Sequence, residues 1–194
     1  MSPPTREDQT ALLTLARRTI AAEFARAPLD LDALPDSTLS DDLRRPAAAF
    51  VSLHRQGHLR GCVGWIRAVK PLYRTVAECA LAAAFHDNRF EPLVAGELPE
   101  IEIEISVLSP FCSVAPEAIE PGVHGLLVTS GFQRGLLLPQ VAREFGWGRE
   151  RFVEETCRKA GLEPDAWRKG ATLEAFTAFV FSEATVAERQ PSSR

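Results

Sequence analysis

The sequence predicts an α+β fold, with a largely antiparallel sheet flanked by helices and a second, smaller subdomain. Short apolar strands come in pairs joined by tight turns, and amphipathic helices lie between the pairs. Few segments have the strand–helix–strand order that builds a parallel sheet. The 194 residues suffice for one sizeable core with a small appended subdomain.

Several segments are predicted to be helical. The first spans residues 6–26, and Thr5 with Asp8 resembles a capping box at its start. Its apolar stripe consists of Leu12, Ala16, Ile20 and Phe24. Other helices are predicted at residues 71–86, from Pro139 to about Phe145, at 149–160 before Gly161, and near Pro164 and Trp167. Residues 28–46, which include Pro35, Asp36, Ser37 and Pro46, are predicted to form an ordered surface connection.

A hairpin is predicted between residues 47–55 and a strand that begins at His58, with Gln56 and Gly57 as its turn. A turn of two residues would pair Arg60 with Leu53 and Cys62 with Val51. Arg60 and Cys62 would then share one face of the sheet, because side chains alternate along a strand.

Three further strand regions follow. Residues 100–107 alternate between apolar residues and an acidic solvent face. Residues 122–128 and 135–138 are predicted to pair around Ser130 and Gly131, and residues 173–182 form a final strand, apolar on both faces and therefore central. We expect residues 1–186 to form one domain of two unequal subdomains, and the polar residues 187–194 to be a disordered tail.

The composition limits the classes of function. The net charge is −4 and the pI is about 5.6, so no overall basic field favours nucleic acid. Apolar runs fall short of the roughly 20 residues that span a bilayer, and no signal peptide is recognisable. We therefore expect a cytoplasmic protein that does not contact membranes.

The four cysteines, at positions 62, 79, 112 and 157, form no C-x-x-C pair, so free thiols are expected. Cys79 lies on an apolar helical stripe and is assigned to the core, and Cys112 and Cys157 give no sign of another role. His54 and His58 flank a turn without a nearby cysteine, so no metal site is predicted.

Residues 59–64, LRGCVG, are the first candidate for chemistry. They place the Cys62 thiol between Gly61 and Gly64, which favours a bent backbone or the close approach of a ligand. Arg60 is a cation that can favour the thiolate. The alternative is that Cys62 is a small buried residue in a tight segment.

His124, flanked by Val123 and Gly125, is the best candidate base, although a lone histidine is more often structural. Asp87 and Arg89 can orient one another and bind an anion, or form a local ion pair that braces a loop. The sequence contains no Walker loop, no dinucleotide-binding glycine pattern and no serine nucleophile elbow, so no cofactor is identified.

LRGCVG resembles the hallmark LRGCIG of the AMMECR domain family, with Val63 in place of isoleucine. Other blocks, in order, cover about residues 8–184. They are DNRFEPL at 87–93, ELP at 97–99, GVHGL at 122–126, LLPQVA at 137–142, Trp147 and KAGL at 159–162. The resemblance extends to the bacterial and archaeal group called AmmeMemoRadiSam system protein A.

The resemblance implies two unequal subdomains and a cleft lined by the hallmark. It implies Cys62 and His124 as catalytic candidates. The implied ligand-binding residues are Arg60, Gly61, Gly64, Asp87, Arg89, Phe90 and Gln140. Members of the group occur beside a Memo-like protein, related to extradiol dioxygenases, and a radical S-adenosylmethionine enzyme.

Two hypotheses follow for a three-protein modification pathway with those partners. In the first, Cys62 is a nucleophile or modification acceptor, Arg60 and Arg89 hold an anionic group, Asp87 orients Arg89, and His124 handles the proton. In the second, the protein is a non-catalytic subunit whose motif shapes a cleft for a ligand or partner. Family membership alone does not supply the reaction.

Overall fold

The computed structural model describes residues 3–34 and 39–188 and contains two compact units. Unit 1 comprises Met1–Val107 and Phe179–Arg194, and unit 2 comprises Leu108–Ala178. Both units combine helices with an antiparallel sheet, so the predicted α+β class is confirmed. Pro35, Asp36 and Ser37 lie outside the described residues, as do residues 189–194 of the predicted tail.

Unit 1 contains most of the helical residues. Its helices are α1 (Arg6–Phe24), α2 (Asp41–Arg44) and α3 (Leu72–Phe85), followed late in the chain by α6 (Glu183–Glu188), which includes the first two residues of the predicted tail. Its strands are β1 (Ala49–Arg55), β2 (His58–Trp65), β3 (Ile101–Leu108) and β8 (Ala178–Ser182), in the spatial order β2-β1-β3-β8. A 3₁₀ helix, Ala95–Glu100, precedes β3.

The first helix forms as the sequence predicts. Thr5 and Asp8 make a reciprocal capping box, and Ser40 Oγ donates a further hydrogen bond of 2.6 Å to Asp8 Oδ1. Leu12, Ala16 and Ile20 are fully buried against α3 and the sheet. The helices therefore cover one face of the unit 1 sheet, which leaves the other face to carry polar side chains.

The β1–β2 hairpin departs from the predicted register beyond Leu59. His54 lies opposite Leu59 as expected, but Gly61 lies opposite Leu53 and Cys62 opposite Ser52, so the predicted pairs of Arg60 and Cys62 are wrong. The register shifts because Arg60 is an extra residue in a β-bulge. A bulge re-aims side chains, and here it sends the Arg60 guanidinium towards Glu97.

Unit 2 has a sheet in the order β4-β7-β5-β6. The strands are β4 (Cys112–Ser113), β5 (Gly125–Ser130), β6 (Gln133–Leu137) and β7 (Thr172–Phe176). Two helices pack with them, α4 (Pro139–Glu144) and α5 (Arg149–Lys159), and 3₁₀ helices span Pro116–Ala118 and Ala166–Lys169. The core centres on Phe152, Leu126, Val128 and Ile119, each fully buried.

The predicted final strand at 173–182 is two strands in different sheets. β7 is central in unit 2, whereas β8 is the last strand of the unit 1 sheet. The break falls at Thr177, whose N–H donates to Ser109 Oγ at 2.9 Å and whose carbonyl accepts from the Ser109 N–H at 2.9 Å. These bonds divert the backbone from the ladder, which the apolar pattern on both faces did not indicate.

Within the described residues, no helix is both long enough and apolar enough to cross a membrane. Cys79 and Cys157 are fully buried in the cores, as predicted, but Cys112 is exposed. All four cysteines are free thiols.

Candidate functional site

Cys62 lies in the middle of β2, with its thiol on the polar face of the unit 1 sheet. Ser52, its partner on β1, donates a hydrogen bond from Oγ to Cys62 Sγ at 3.2 Å. Ser52 in turn lies opposite Glu104 on β3. Because partners across strands share a face, Cys62, Ser52 and Glu104 form one row across three strands.

Asp87 and Arg89 form hydrogen bonds with the backbone of Cys62, on the side of β2 that faces away from β1. Asp87 Oδ2 accepts the Cys62 N–H at 2.9 Å, and the Cys62 carbonyl accepts from Arg89 Nη2 at 3.2 Å. The two side chains also form a bidentate ion pair, with Nη2–Oδ2 at 2.7 Å and Nε–Oδ1 at 2.9 Å. The pair therefore fixes the position of the thiol through the peptide groups on either side of its Cα.

The environment of this pair favours the ionised forms of both side chains. Hydrogen bonds from Arg89, joined by the one from the Cys62 N–H, lower the pKa of Asp87 to about 2 although the carboxyl is buried. The same partnership raises the pKa of Arg89, whose guanidinium also lies 5.4 Å from the centre of the Phe90 ring. Asp87 and Arg89 are thus both ionised at neutral pH, and each is committed to the other.

The Cys62 thiol is half-buried, and this burial raises its pKa. The hydrogen bond from Ser52 and the charge of Arg89 act in the opposite direction, while the carboxylates of Asp87 and Glu104 add to the rise. The nearby cation is Arg89, not Arg60 as the sequence suggested. At neutral pH the thiol is therefore protonated, which is unlike an activated cysteine nucleophile.

Arg60 is engaged elsewhere, in a cluster of ion pairs around the buried residue Glu97. Its Nε and Nη2 donate to the two carboxylate oxygens of Glu97 at 3.0 and 2.9 Å, and its Nη1 donates to the Glu91 carbonyl at 2.8 Å. Arg55 Nη1 reaches Glu97 Oε1 at 2.9 Å. Hydrogen bonds from Arg60 lower the pKa of Glu97 to about 2 against its burial. The cluster ties the bulge of β2 to the 3₁₀ helix.

The two glycines of the motif are sites of close approach. A Cβ at Gly61 would lie 2.1 Å from the carbonyl oxygen of Ala83, so β2 packs directly on the backbone of α3. A Cβ at Gly64 would lie 2.2 Å from the Phe50 ring. Both glycines are therefore explained by packing and make no contact that requires a ligand.

His124 and Gln140 belong to unit 2. His124 precedes β5, and its Nδ1 accepts the Glu120 N–H at 3.1 Å. Gln140 is half-buried in the first turn of α4. The structure thus brings Cys62, Asp87 and Arg89 into one cluster in unit 1, with Phe90 beside Arg89, and places His124 and Gln140 in the other unit.

Comparison with known proteins gives the family. The AMMECR1 family model matches residues 13–181, which include both the Cys62 cluster and His124. The chain belongs to the AMMECR1 family. A protein of Methanothermobacter thermautotrophicus is 42% identical over 94% of this chain and 97% of its own length. A protein of Pyrococcus furiosus is 39% identical over 89% of this chain and 86% of its own length.

A solved structure has the same fold. The crystal structure of an uncharacterized protein from Pyrococcus horikoshii superimposes with a TM-score of 0.82 and 35% sequence identity, and covers 91% of each chain. The α+β architecture is therefore shared with this solved structure, and the resemblance suggested by LRGCVG is confirmed at the level of the family.

Sequence reasoning about this AMMECR1-family chain missed several residues on the polar sheet face. It treated Glu104 as part of a solvated face, yet Glu104 is half-buried and its Oε1 lies 4.0 Å from His54 Nε2. His54 Nε2 is buried and makes no hydrogen bond in the described part of the chain. Ser52 could have been recognised from the sequence, because it is the single hydroxyl residue in a mostly apolar strand.

A metal centre is not assembled from the described residues, because no three of their histidine, cysteine, aspartate or glutamate side chains converge as ligands. The groups around the Cys62 thiol are instead the Ser52 hydroxyl, the Glu104 carboxylate and the ion pair of Asp87 with Arg89. The site can therefore present a rigid backbone segment and the Arg89 guanidinium to a ligand. The Arg89 side chain is 53% exposed.

Proposed function

We propose that this AMMECR1-family protein is a ligand- or partner-binding component of a cytoplasmic three-protein modification pathway, together with a Memo-like protein and a radical S-adenosylmethionine enzyme. The cleft around LRGCVG would receive the partner without performing the chemistry. The main support for a binding role is that Asp87 and Arg89 both form hydrogen bonds with the Cys62 backbone. These bonds make the motif a rigid surface.

The protonation state of the cluster supports a binding role over a catalytic one. A nucleophilic cysteine needs a lowered pKa or an adjacent base, whereas burial raises the pKa of Cys62 and its bonded neighbour is a hydroxyl. Arg60 and Arg89 are both occupied by carboxylates, so neither guanidinium is held in reserve for an anionic substrate.

Exposed side chains in and near the motif are of types that are common in protein interfaces. Leu59 and Trp65, which bracket the Cys62 segment, are 41% and 49% exposed, and the Arg89 side chain in the same unit is 53% exposed. Tryptophan and arginine are the residues that most often dominate the energy of protein interfaces. Trp65 is therefore the proposed anchor for the partner.

The test is binding of each purified partner to the immobilised chain, measured by biolayer interferometry. Trp65→Ala is expected to weaken binding by about tenfold or more, because central aromatic anchors contribute over 1 kcal/mol. Phe132→Ala is the matched control, since Phe132 is an exposed aromatic residue at a hairpin tip of unit 2. Cys62→Ala is expected to leave affinity within about threefold, a change below 1 kcal/mol. Failure of both partners to bind removes the proposal.

A second candidate function is that Cys62 is the acceptor of the modification. The Ser52 hydrogen bond and the Arg89 charge both favour the thiolate, so a strong electrophile delivered by a partner would find a positioned sulfur. Intact mass measurement of the chain after incubation with both partners distinguishes the two. A mass increase that Cys62→Ser abolishes and Cys112→Ser retains supports the acceptor role.

A further inference from the structure

A separate cavity of about 290 Å³ lies entirely within unit 2. It is bounded by the segment around β4, by Ala118, by His124 and by the end of β7. This volume is at the lower limit of the cavities that proteins use for small ligands. The residues of the Cys62 cluster take no part in it.

The GVHG block builds one wall of this cavity. A Cβ at Gly125 would lie 2.2 Å from the Phe176 ring, so only glycine lets that ring pack against the backbone at the start of β5. The ring is fixed from its other side by Phe111, with 4.8 Å between the ring centres. Phe176 is among the residues that line the cavity, and it is 2% exposed, so little of its ring is accessible.

His124 has a defined tautomer. Its Nδ1 accepts the backbone N–H of Glu120, so Nδ1 carries a lone pair and the ring proton is on Nε2. The His124 N–H also donates to the Glu120 carbonyl at 2.9 Å, which fixes the backbone of the residue. The imidazole therefore offers a hydrogen-bond donor at Nε2.

The lining favours an uncharged occupant. No lysine, arginine, aspartate or glutamate is among the described residues around the cavity. An ionised ligand would lose its hydration there without gaining a charged partner. Proline, valine, alanine and phenylalanine side chains make up much of the wall, so the body of the ligand is apolar.

We propose that unit 2 binds a small uncharged molecule that has an apolar body and a carbonyl-type acceptor. The apolar side chains of the lining pack on the body, and His124 Nε2–H binds the acceptor. Cys112, which is exposed and lines the same cavity, lies at its rim, where the thiol is within reach of the bound molecule.

Binding in the cavity can be measured by the rate at which the Cys112 thiol is labelled. N-phenylmaleimide is uncharged, aromatic and carbonyl-bearing, and its reaction with a thiol forms a carbon–sulfur bond while the neighbouring carbon takes up a proton. Labelling of Cys112 in the full chain is followed by peptide mass spectrometry at increasing probe concentration. The rate is expected to saturate, and to exceed that of glutathione by about tenfold, a gain of about 1.4 kcal/mol. Iodoacetamide, which lacks the apolar body, is expected to react without saturation.

Matched variants locate the effect in the cavity. Ala118 is exposed and lines it, so Ala118→Leu fills space without disturbing the core and should remove saturation while leaving the iodoacetamide rate unchanged. Ala115→Leu, in the same exposed segment but outside the lining, should behave like the parent chain. His124→Ala should raise the half-saturating concentration about fivefold through loss of one hydrogen bond. A linear rate with no excess over glutathione overturns the proposal.

Discussion

At the scale of single residues, Cys62 and Cys112 are expected to differ in reactivity. Cys62 is half-buried and its pKa is raised by burial, whereas Cys112 is exposed. At pH 7.5, iodoacetamide should label Cys112 at least about tenfold faster than Cys62, because only the thiolate reacts. The Cys62 rate should keep rising with pH above 9. Labelling of Cys62 faster than a free cysteine peptide would restore the nucleophile hypothesis.

Asp87 is expected to give a pH-dependent contribution to stability. Its ordinary pKa is 3.8 and its folded pKa is about 2, so the ionised form stabilises the fold above pH 4, and the gain is lost as the pH falls through 2. Asp87→Asn should lower the free energy of unfolding by about 2 kcal/mol at pH 7. The difference from the parent chain should shrink between pH 4 and pH 2 in urea titrations.

The control for this prediction is Asp165→Asn. Asp165 pairs with Lys169 at 2.8 Å on the surface, and such exposed pairs contribute little. An Asp87→Asn variant as stable as the Asp165→Asn variant at pH 7 would contradict the structural role of the pair.

Single residues were only partly predictable. Cys62, Asp87 and Arg89 were singled out from their residue types, and the ion pair between the last two was one of the predicted alternatives. Their bonds to the Cys62 backbone were not predictable, because hydrogen bonds to peptide groups leave no mark on composition. Glu97 was noticed only as part of a motif, since its surroundings include Arg55 from β1 and Arg60 from β2, which lie far from it in the sequence.

At the scale of elements, the packing of β2 on α3 depends on Gly61. Gly61→Ala would place a methyl group 2.1 Å from the Ala83 carbonyl oxygen, and neither backbone can yield without separating the strand from the helix. We expect a loss of about 3 kcal/mol in the free energy of unfolding. Gly96→Ala is the matched control in unit 1, because its Cβ would meet nothing within 4 Å. Equal stability of the two variants would refute the close approach.

Elements with strong local signals were predicted well. The capping box of α1, the turn at Gln56 and Gly57, and the alternation of β3 all appear where the sequence places them. The bulge at Arg60 and the break at Thr177 were missed, because both depend on contacts with residues distant in sequence, Glu97 and Ser109. Periodicity reports which face is buried, but not which partner a strand has.

At the scale of the whole molecule, unit 2 is an insertion between β3 and β8 of unit 1. Its ends are joined by the two hydrogen bonds between Ser109 and Thr177, and it has its own core around Phe152. We expect the fragment 108–178 to fold alone, with a cooperative unfolding transition of about 3 kcal/mol by circular dichroism.

Phe152→Ala in the fragment provides the control, since loss of a fully buried phenylalanine costs about 3–5 kcal/mol and should abolish the transition. A parent fragment without any cooperative transition would mean that unit 2 depends on unit 1 for its stability.

The two hydrogen bonds to the Cys62 backbone also occupy peptide groups at the edge of a sheet. β2 is the terminal strand of its sheet, and a terminal strand with free peptide groups invites pairing with another chain. The Asp87 carboxylate accepts the Cys62 N–H, as a carbonyl of a neighbouring strand would. The Arg89 guanidinium donates to the Cys62 carbonyl, as an N–H of that strand would. The ion pair thus takes the place of a neighbouring strand with two side chains, and it blocks the sheet edge at Cys62 against pairing with another chain.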